Sequence, residues 1–381
     1  MCGAWQGNIS RMKIAFVKQK YVPFGGGEGY LAALLDACAE KGHEVHVITT
    51  SWDNSQKYPF AVHVARMNKL SRRSRVLSFA DSVRRIVQDH PFDVVFSLER
   101  TTAQHIWRAG DGIYSKWLKQ RALYEPPHKT LFNRLSFGQR AVMEIERRCV
   151  ESTPYIIANS KMIRQDLKEA YPRIAARVDV IYNGYDPARF SLSGRDEDRE
   201  AIRQQLGLSL TEPVLLFAAS GWRRKGLLEL LRAMQELPQV KLLILGRDKI
   251  ADWRQAARKL GVDPQLLFLE PRKDIHRLYH AVDATMLPSW YDTFGFVTLE
   301  SLACGTPAVV SRFAGSHELI VPGLNGMVVS RPDAIQEMRS AIVDTLNLSS
   351  GAAIAESVSA YTLESNVRKT LAVIERSVGS S

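Results

Sequence analysis

At 381 residues, with 45% hydrophobic and 24% charged positions, the chain is too long for one ordinary core and suits two domains. No apolar run approaches the roughly 20 residues of a bilayer span. The four cysteines, Cys2, Cys38, Cys149 and Cys304, form no C-x-x-C pair, which argues against a disulfide framework and a zinc site.

The net charge of +11 is unevenly spread. Residues 191–381 balance 22 Lys and Arg against 22 Asp and Glu, so the excess belongs to the first 190 residues. That half suits an anionic partner, a nucleic acid or an acidic membrane surface, unless it is a solvated basic face.

The opening MCGAWQGNISR lacks the apolar segment of a signal peptide, which predicts a cytoplasmic protein and makes Met12 a candidate start. MKIAFVK reads as a buried strand, PFGGGEG as a turn, and YLAALLDACAEKGHEVHVIT as helix, glycine stop and second strand. Gly25, Gly26 and Gly27 sit between strand and helix, where a backbone can approach a ligand closely, but Tyr30 spoils a G-x-G-x-x-G. SRVLSFADSVRRIVQDH and FGQRAVMEIERRCVE read as helices, PFDVVFSLE and YIIANS as strands. Between them YSKWLKQRALYEPPHKTLFNRLSFGQR, residues 114–140, interleaves six basic residues with aromatics and one acid, a composition suited to an anionic bilayer; Lys69, Arg72, Arg73 and Arg75 form a second basic cluster. No recognition helix or RNA-binding signature accompanies them, so no nucleic acid is expected.

VIYNGYDPARFSLSGRDEDRE, with Asn-Gly, Asp-Pro and a charge run, reads as a linker, and its Asp196-Glu197-Asp198 as solvated charge. Beyond it PVLLFAASG, VKLLILG, QLLFLE, DATMLPS and TPAVVS alternate with helical segments, predicting a second parallel sheet. In SWYDTFGFVTLESLACGTP the Phe294-Gly295 turn opens a helix whose first N–H groups, near Phe296 and Val297, suit a phosphate. Asp292 and Glu300 could then accept from hydroxyls on either side of it, or be a turn residue and a local cap.

This stretch resembles the E-x7-E element of retaining GT-B glycosyltransferases of family 4, followed in the family's order by Gly305-Thr306-Pro307 and AGSHELIVPGLNGMVV. LFAASGWRRKGLLELLRAM, VIYNGYDPARF and YIIANSKMIRQDL extend the likeness along nearly the whole chain. KYVPFGGGEG, VHVITTSW and RAGDGIYSKW are similar to the branch that glucosylates the lipopolysaccharide inner core.

The resemblance implies an α/β GT-B fold of two Rossmann-like domains with parallel sheets facing across a cleft. An acceptor-binding domain is expected over 12–180 and a nucleotide-sugar-binding domain over 190–355, with a C-terminal helix near 360–378 packing back on the first. It also implies hexosyl transfer from a UDP-sugar to a lipid-anchored glycan at the inner face of the inner membrane, without a metal or other cofactor. Other donors such as UDP-N-acetylglucosamine, other acceptors, or a non-catalytic sugar-nucleotide binder stay open. Asp111, Asp292 and Glu300 take catalytic roles by this likeness. Glu300 is expected on the ribose, Asp292 on the transferred sugar, and Asp111 beside the acceptor hydroxyl. Donor binding falls to Gly25, Gly26, Gly27, Arg224, Lys225, Arg272, Thr293, Phe294, Gly295, Phe296, Val297 and Glu300. The chain departs from the family at Asp292, usually Glu, and at Ala219-Ser220, usually Gly-Arg, for which Arg223 or Arg224 stands in.

Overall fold

The apolar runs become two all-parallel sheets. The computed structural model describes residues 11–20, 26–51, 60–128 and 136–378. In the first domain β1 (Lys13–Val17), β2 (Glu44–Thr49), β3 (Ala61–Val64), β4 (Val94–Ser97), β5 (Ile106–Arg108), β6 (Tyr155–Ala158) and β7 (Val178–Val180) lie in the order β3-β2-β1-β4-β5-β6-β7. In the second, β8 (Val214–Ala218), β9 (Lys241–Leu245), β10 (Leu266–Leu269), β11 (Ala284–Leu287), β12 (Ala308–Ser311) and β13 (Gly326–Val329) run β10-β9-β8-β11-β12-β13. Central strands such as VVFS and VLLFA are buried along their whole length, as strands covered by helices on both faces must be.

Each sheet reverses its winding once, between β1 and β4 and between β8 and β11. Those are the points where loops diverge and open α/β sheets bind ligands. The C-terminal helix Leu363–Val378 places Val367, Leu371, Val373 and Ile374 in the first domain's core, and the Tyr30 hydroxyl donates to Thr370 Oγ1 at 3.3 Å.

Two local expectations need correction. The charge run read as linker is helical: Arg195–Gln205 begins with Asp196, Glu197 and Asp198, acids that complement the positive end of a helix. Nor is Asp198 solvated charge, since it accepts from Arg277 at 2.6 Å and pairs with His280 Nδ1 at 2.9 Å. The first-domain glycines divide as well. Gly25 lies outside the described residues, whereas Gly26 and Gly27 already belong to the helix Gly26–Glu40 rather than to a loop.

Candidate active site

The two winding reversals face one another across a cavity of about 510 Å³. Lys18, Leu98, Arg108, Gly110, Asp111, Asn159 and Asn183 line it from the first domain and its exit; residues 218–220, Lys225 and residues 292–297 line it from the second. Asp111, Lys225, Asp292, Thr293, Phe294, Gly295, Phe296 and Val297, scattered over the sequence, are thus brought to one space. Glu300, Arg224 and Arg272 are not part of this lining.

The floor is set by glycine. Gly295, at φ 92°, opens the helix Phe296–Ala303, and a Cβ there would lie 2.3 Å from Leu287 Cδ2. Asp292 precedes this turn, and its Oδ1 accepts from Phe294 N at 3.3 Å. Its backbone is fixed on both sides, donating to Phe313 O and accepting from Gly315 N, each at 2.9 Å. The Asp292 carboxylate pairs with the Lys225 ammonium, both side chains being nearly buried. Burial pushes the Asp292 carboxyl up, but Lys225, with Arg224 behind it, outweighs burial and holds it below the usual carboxylate range. Burial likewise draws Lys225 down, against the pull of Asp292. Arg224 ties the loops together: its Nη1 donates to Tyr291 O at 2.7 Å, while its own carbonyl accepts from Trp290 N at 2.9 Å.

Glu300 lies one turn along the helix, where it accepts from the Tyr279 hydroxyl at 2.8 Å. Burial raises its pKa, partly offset by that hydrogen bond and by Arg189. Arg272 is held by Asp274 in a fork of 2.5 and 2.6 Å. Asp111 is exposed in the first-domain wall, 3.5 Å from Arg100 Nη1, and Arg100 also donates to Gly112 O at 2.7 Å.

Arg108 was missed by sequence reasoning. It ends β5, is 7% exposed, stacks 3.7 Å over the Tyr30 ring and hydrogen-bonds Asn183 Oδ1. Among the described residues no carboxylate comes within 4.0 Å of it. Burial draws its guanidinium down from its usual value. A cation inside IWRAG, between apolar strand residues, was the available signal, because a charge is buried only where something offsets it.

The domains meet at this site along a polar seam. Ser160 Oγ donates to Thr293 O at 3.0 Å and Asn159 Nδ2 to Thr293 Oγ1 at 3.2 Å. Glu318 of the second domain accepts from Lys161 N at 2.9 Å and Met162 N at 2.6 Å, capping the first-domain helix Lys161–Ala170, and also from the Tyr182 hydroxyl at 2.6 Å. Tyr291 accepts from Ile113 N and donates to Asp166 Oδ2, each at 3.2 Å.

Burial raises Asp166 from 3.8 to about 6, although Lys116 and Tyr291 favour its ionised form. Between those two values the unfolded chain has released this proton and the folded chain retains it, so this group's contribution to stability falls as pH rises through the window. Asp166→Asn keeps an acceptor for Tyr291 and removes the ionisation. It is expected to match the wild type near pH 4 and to exceed it by about 2 kcal/mol above pH 7. Chemical unfolding across that range checks the sign, and a variant less stable than wild type at pH 7.5 contradicts it.

The basic segment 114–140 differs from its sequence picture. Lys116 is paired with Glu169 and lies 3.7 Å from Asp166, Arg121 binds Glu125 at 2.7 Å, and Trp117 stacks on Tyr114. These charges find partners because Tyr114–Tyr124 is a helix packed on its neighbours, whereas Lys119 and Leu123 stay exposed. Residues 129–135 lie outside the described residues. Among the described residues no helix is long and apolar enough to cross a membrane, and no cluster of His, Cys, Asp and Glu could hold a metal ion.

Residues 24–189 match the family described as Glycosyltransferase Family 4, and residues 198–356 that described as Glycosyl transferases group 1. The lipopolysaccharide glucosyltransferase WaaG of Escherichia coli (strain K12) is 25% identical over 89% of this chain and 90% of its own. The D-inositol 3-phosphate glycosyltransferase of Mycobacterium marinum is 27% identical over 93% of this chain and 82% of its own. Among solved structures, WaaG superposes with a TM-score of 0.78 at 24% identity, covering 95% of this chain and 99% of that one. Anabaena HepE in complex with UDP and glucose gives 0.70 at 21%, covering 96% and 99%.

Proposed function

The chain belongs to the GT-B glycosyltransferases of group 1 and family 4, and from that premise we propose that it transfers a hexose, glucose, from a UDP-sugar to a lipid-anchored glycan with retention at the anomeric carbon. The observation that carries the reading is the cavity between the winding reversals, where a buried Arg108, with no carboxylate within 4.0 Å among the described residues, and Lys225 face the helix opening at Gly295. A diphosphate offsets all three positive features at once. The nature of the donor is supported by HepE, whose complex holds UDP and glucose, and that of the acceptor by WaaG, a lipopolysaccharide glucosyltransferase.

In this scheme Lys225 and Arg108 stabilise the departing diphosphate, Asp292 and Thr293 orient the sugar, and Asp111 orients the acceptor hydroxyl. Glu300 holds the ribose, and Lys119 and Leu123 lie on the face turned to an anionic membrane surface. Because protein cations offset the diphosphate, transfer needs no metal ion and survives EDTA. The test is calorimetry with UDP-glucose and UDP-N-acetylglucosamine, together with UDP release on adding acceptor glycans. UDP-glucose should bind the tighter, and Arg108→Met should weaken it at least tenfold while the protein stays folded. Donor binding without UDP release on any acceptor would make the chain a sugar-nucleotide binder instead.

A further inference from the structure

A second and larger space, about 1030 Å³, opens in the first domain beside the active cleft, and nothing assigned so far uses it. Its rim carries five exposed cations, Lys20, Arg66, Lys69, Arg72 and Arg75. Among the described residues none of the five has a carboxylate within 4.0 Å. The one acid in the lining, Glu99, is already engaged by Lys18 at 3.1 Å and by the Gln19 backbone N–H at 3.1 Å. Elsewhere some exposed arginines pair locally, as Arg84 and Arg85 do with Asp81 at 2.7 Å, and others such as Arg173, Arg232 and Arg312 stand singly among the described residues. What sets these five apart is that they converge on one concavity with no carboxylate within 4.0 Å among the described residues.

The helix beneath sharpens the point. Arg72–Asp89 starts with Arg72 and Arg75 in its first turn and no acid there, so fixed positive charge is stacked on the positive end of the helix. Each such placement is unfavourable by about 0.3–1 kcal/mol, and an anion at the same place reverses its sign. The lining below the cations includes the apolar Met67, Val76, Phe79, Val142 and Ile145, and the Arg72 guanidinium lies 5.3 Å over the Tyr114 ring. Charged rim and apolar floor together suit a saccharide whose ring faces pack while its ionised substituents are held. The space is also too large, and its cations too many, for a single phosphate.

Arg100 joins this groove to the cleft. It lines the groove, donates to Glu146 Oε2 at 2.9 Å, and holds the Gly112 carbonyl and Asp111 on the side that lines the donor cavity. We propose that the groove binds an acceptor glycan carrying at least two phosphate or carboxylate groups, gripped by Lys69, Arg72 and Arg75 so that the hydroxyl to be glycosylated reaches Asp111. This assignment rests on the reading of the cleft as a glycosyl-transfer site.

The probe is glucose 1,6-bisphosphate, titrated calorimetrically beside glucose 6-phosphate and glucose, with UDP titrated into the same samples. The bisphosphate is expected to bind at least tenfold more tightly than the monophosphate, and more weakly as salt is raised. Arg72→Gln with Arg75→Gln should weaken it at least tenfold and leave UDP unchanged, which also shows that the variant is folded. A bisphosphate that binds no better than glucose, or equally well to the variant, overturns the proposal. Failure of UDP to bind the wild type would instead remove the transfer reading, so the two failures are separate. Vesicles of phosphatidylglycerol in phosphatidylcholine distinguish the source of the anion. Sedimentation with them that the double variant loses and the bisphosphate does not displace would assign the groove to a lipid headgroup and overturn the glycan; displacement by the bisphosphate supports it.

Discussion

Lys225→Met is expected to destabilise the second domain by about 3–5 kcal/mol and to abolish transfer, because it leaves the Asp292 carboxylate nearly buried with no paired cation and only the Phe294 N–H to accept from. Arg224 contributes only at longer range, and its Nη1 donates to a backbone carbonyl. The two effects can be separated. Replacing both partners, Lys225→Met with Asp292→Leu, removes the uncompensated charge and should recover most of the stability, yet the cavity then lacks the ammonium for the diphosphate and the carboxylate for the sugar. Urea unfolding and UDP release, measured on both variants, make the comparison. A single variant as stable as wild type at pH 7, or a double variant that transfers, would remove the pair from its role.

Gly226→Ala should be nearly as severe through sterics alone. Gly226 sits at φ 82° between Lys225 and the helix Leu227–Met234, and a Cβ there would lie 1.9 Å from the Pro288 carbonyl oxygen and 3.2 Å from Pro288 Cγ. A backbone oxygen cannot rotate away as a side-chain tip can. The loop carrying Lys225 or the end of β11 must therefore shift, costing about 3 kcal/mol or more together with the left-handed conformation. Gly221→Ala is the control, since Gly221 also has positive φ, 70°, but open space within 4 Å. It should lose only about 1 kcal/mol. Equal losses in the two variants would mean that the close approach to Pro288 is not what fixes this glycine.

What could be read from sequence follows from how each feature is encoded. Strands buried on both faces write themselves as continuous apolar runs, and VVFS, YIIA, VLLFA and KLLIL were legible for that reason. The short β5 and β7, three residues each, and the partly exposed β3 carry too few apolar positions to stand out. Asp292, Gly295 and Lys225 were found because they sit in one loop, helix or motif with a recognisable order. Arg108 and Glu318 owe their importance to partners far away in the chain: Arg108 to Tyr30 and Asn183, Glu318 to Lys161 and Met162. No spacing rule sees such a contact. The linker misreading has a different origin, since a run of acids is equally at home in solvent and in the first turn of a helix.

The seam through Glu318 determines how the cleft opens. Separating the domains there exposes a carboxylate, two helix N–H groups and several hydroxyls, together with the rings of Tyr291 and of Trp290, whose centroid lies 6.0 Å from that of Tyr124. Water can replace each lost hydrogen bond, so the polar contacts contribute little net enthalpy. The buried rings give the motion a positive heat-capacity change, because that quantity tracks apolar hydration. The seam's hydrogen bonds join carboxylates to neutral groups and no ion pair crosses it among the described residues, so screening by salt has little to act on. The balance between open and shut forms then bends with temperature and is nearly flat in ionic strength.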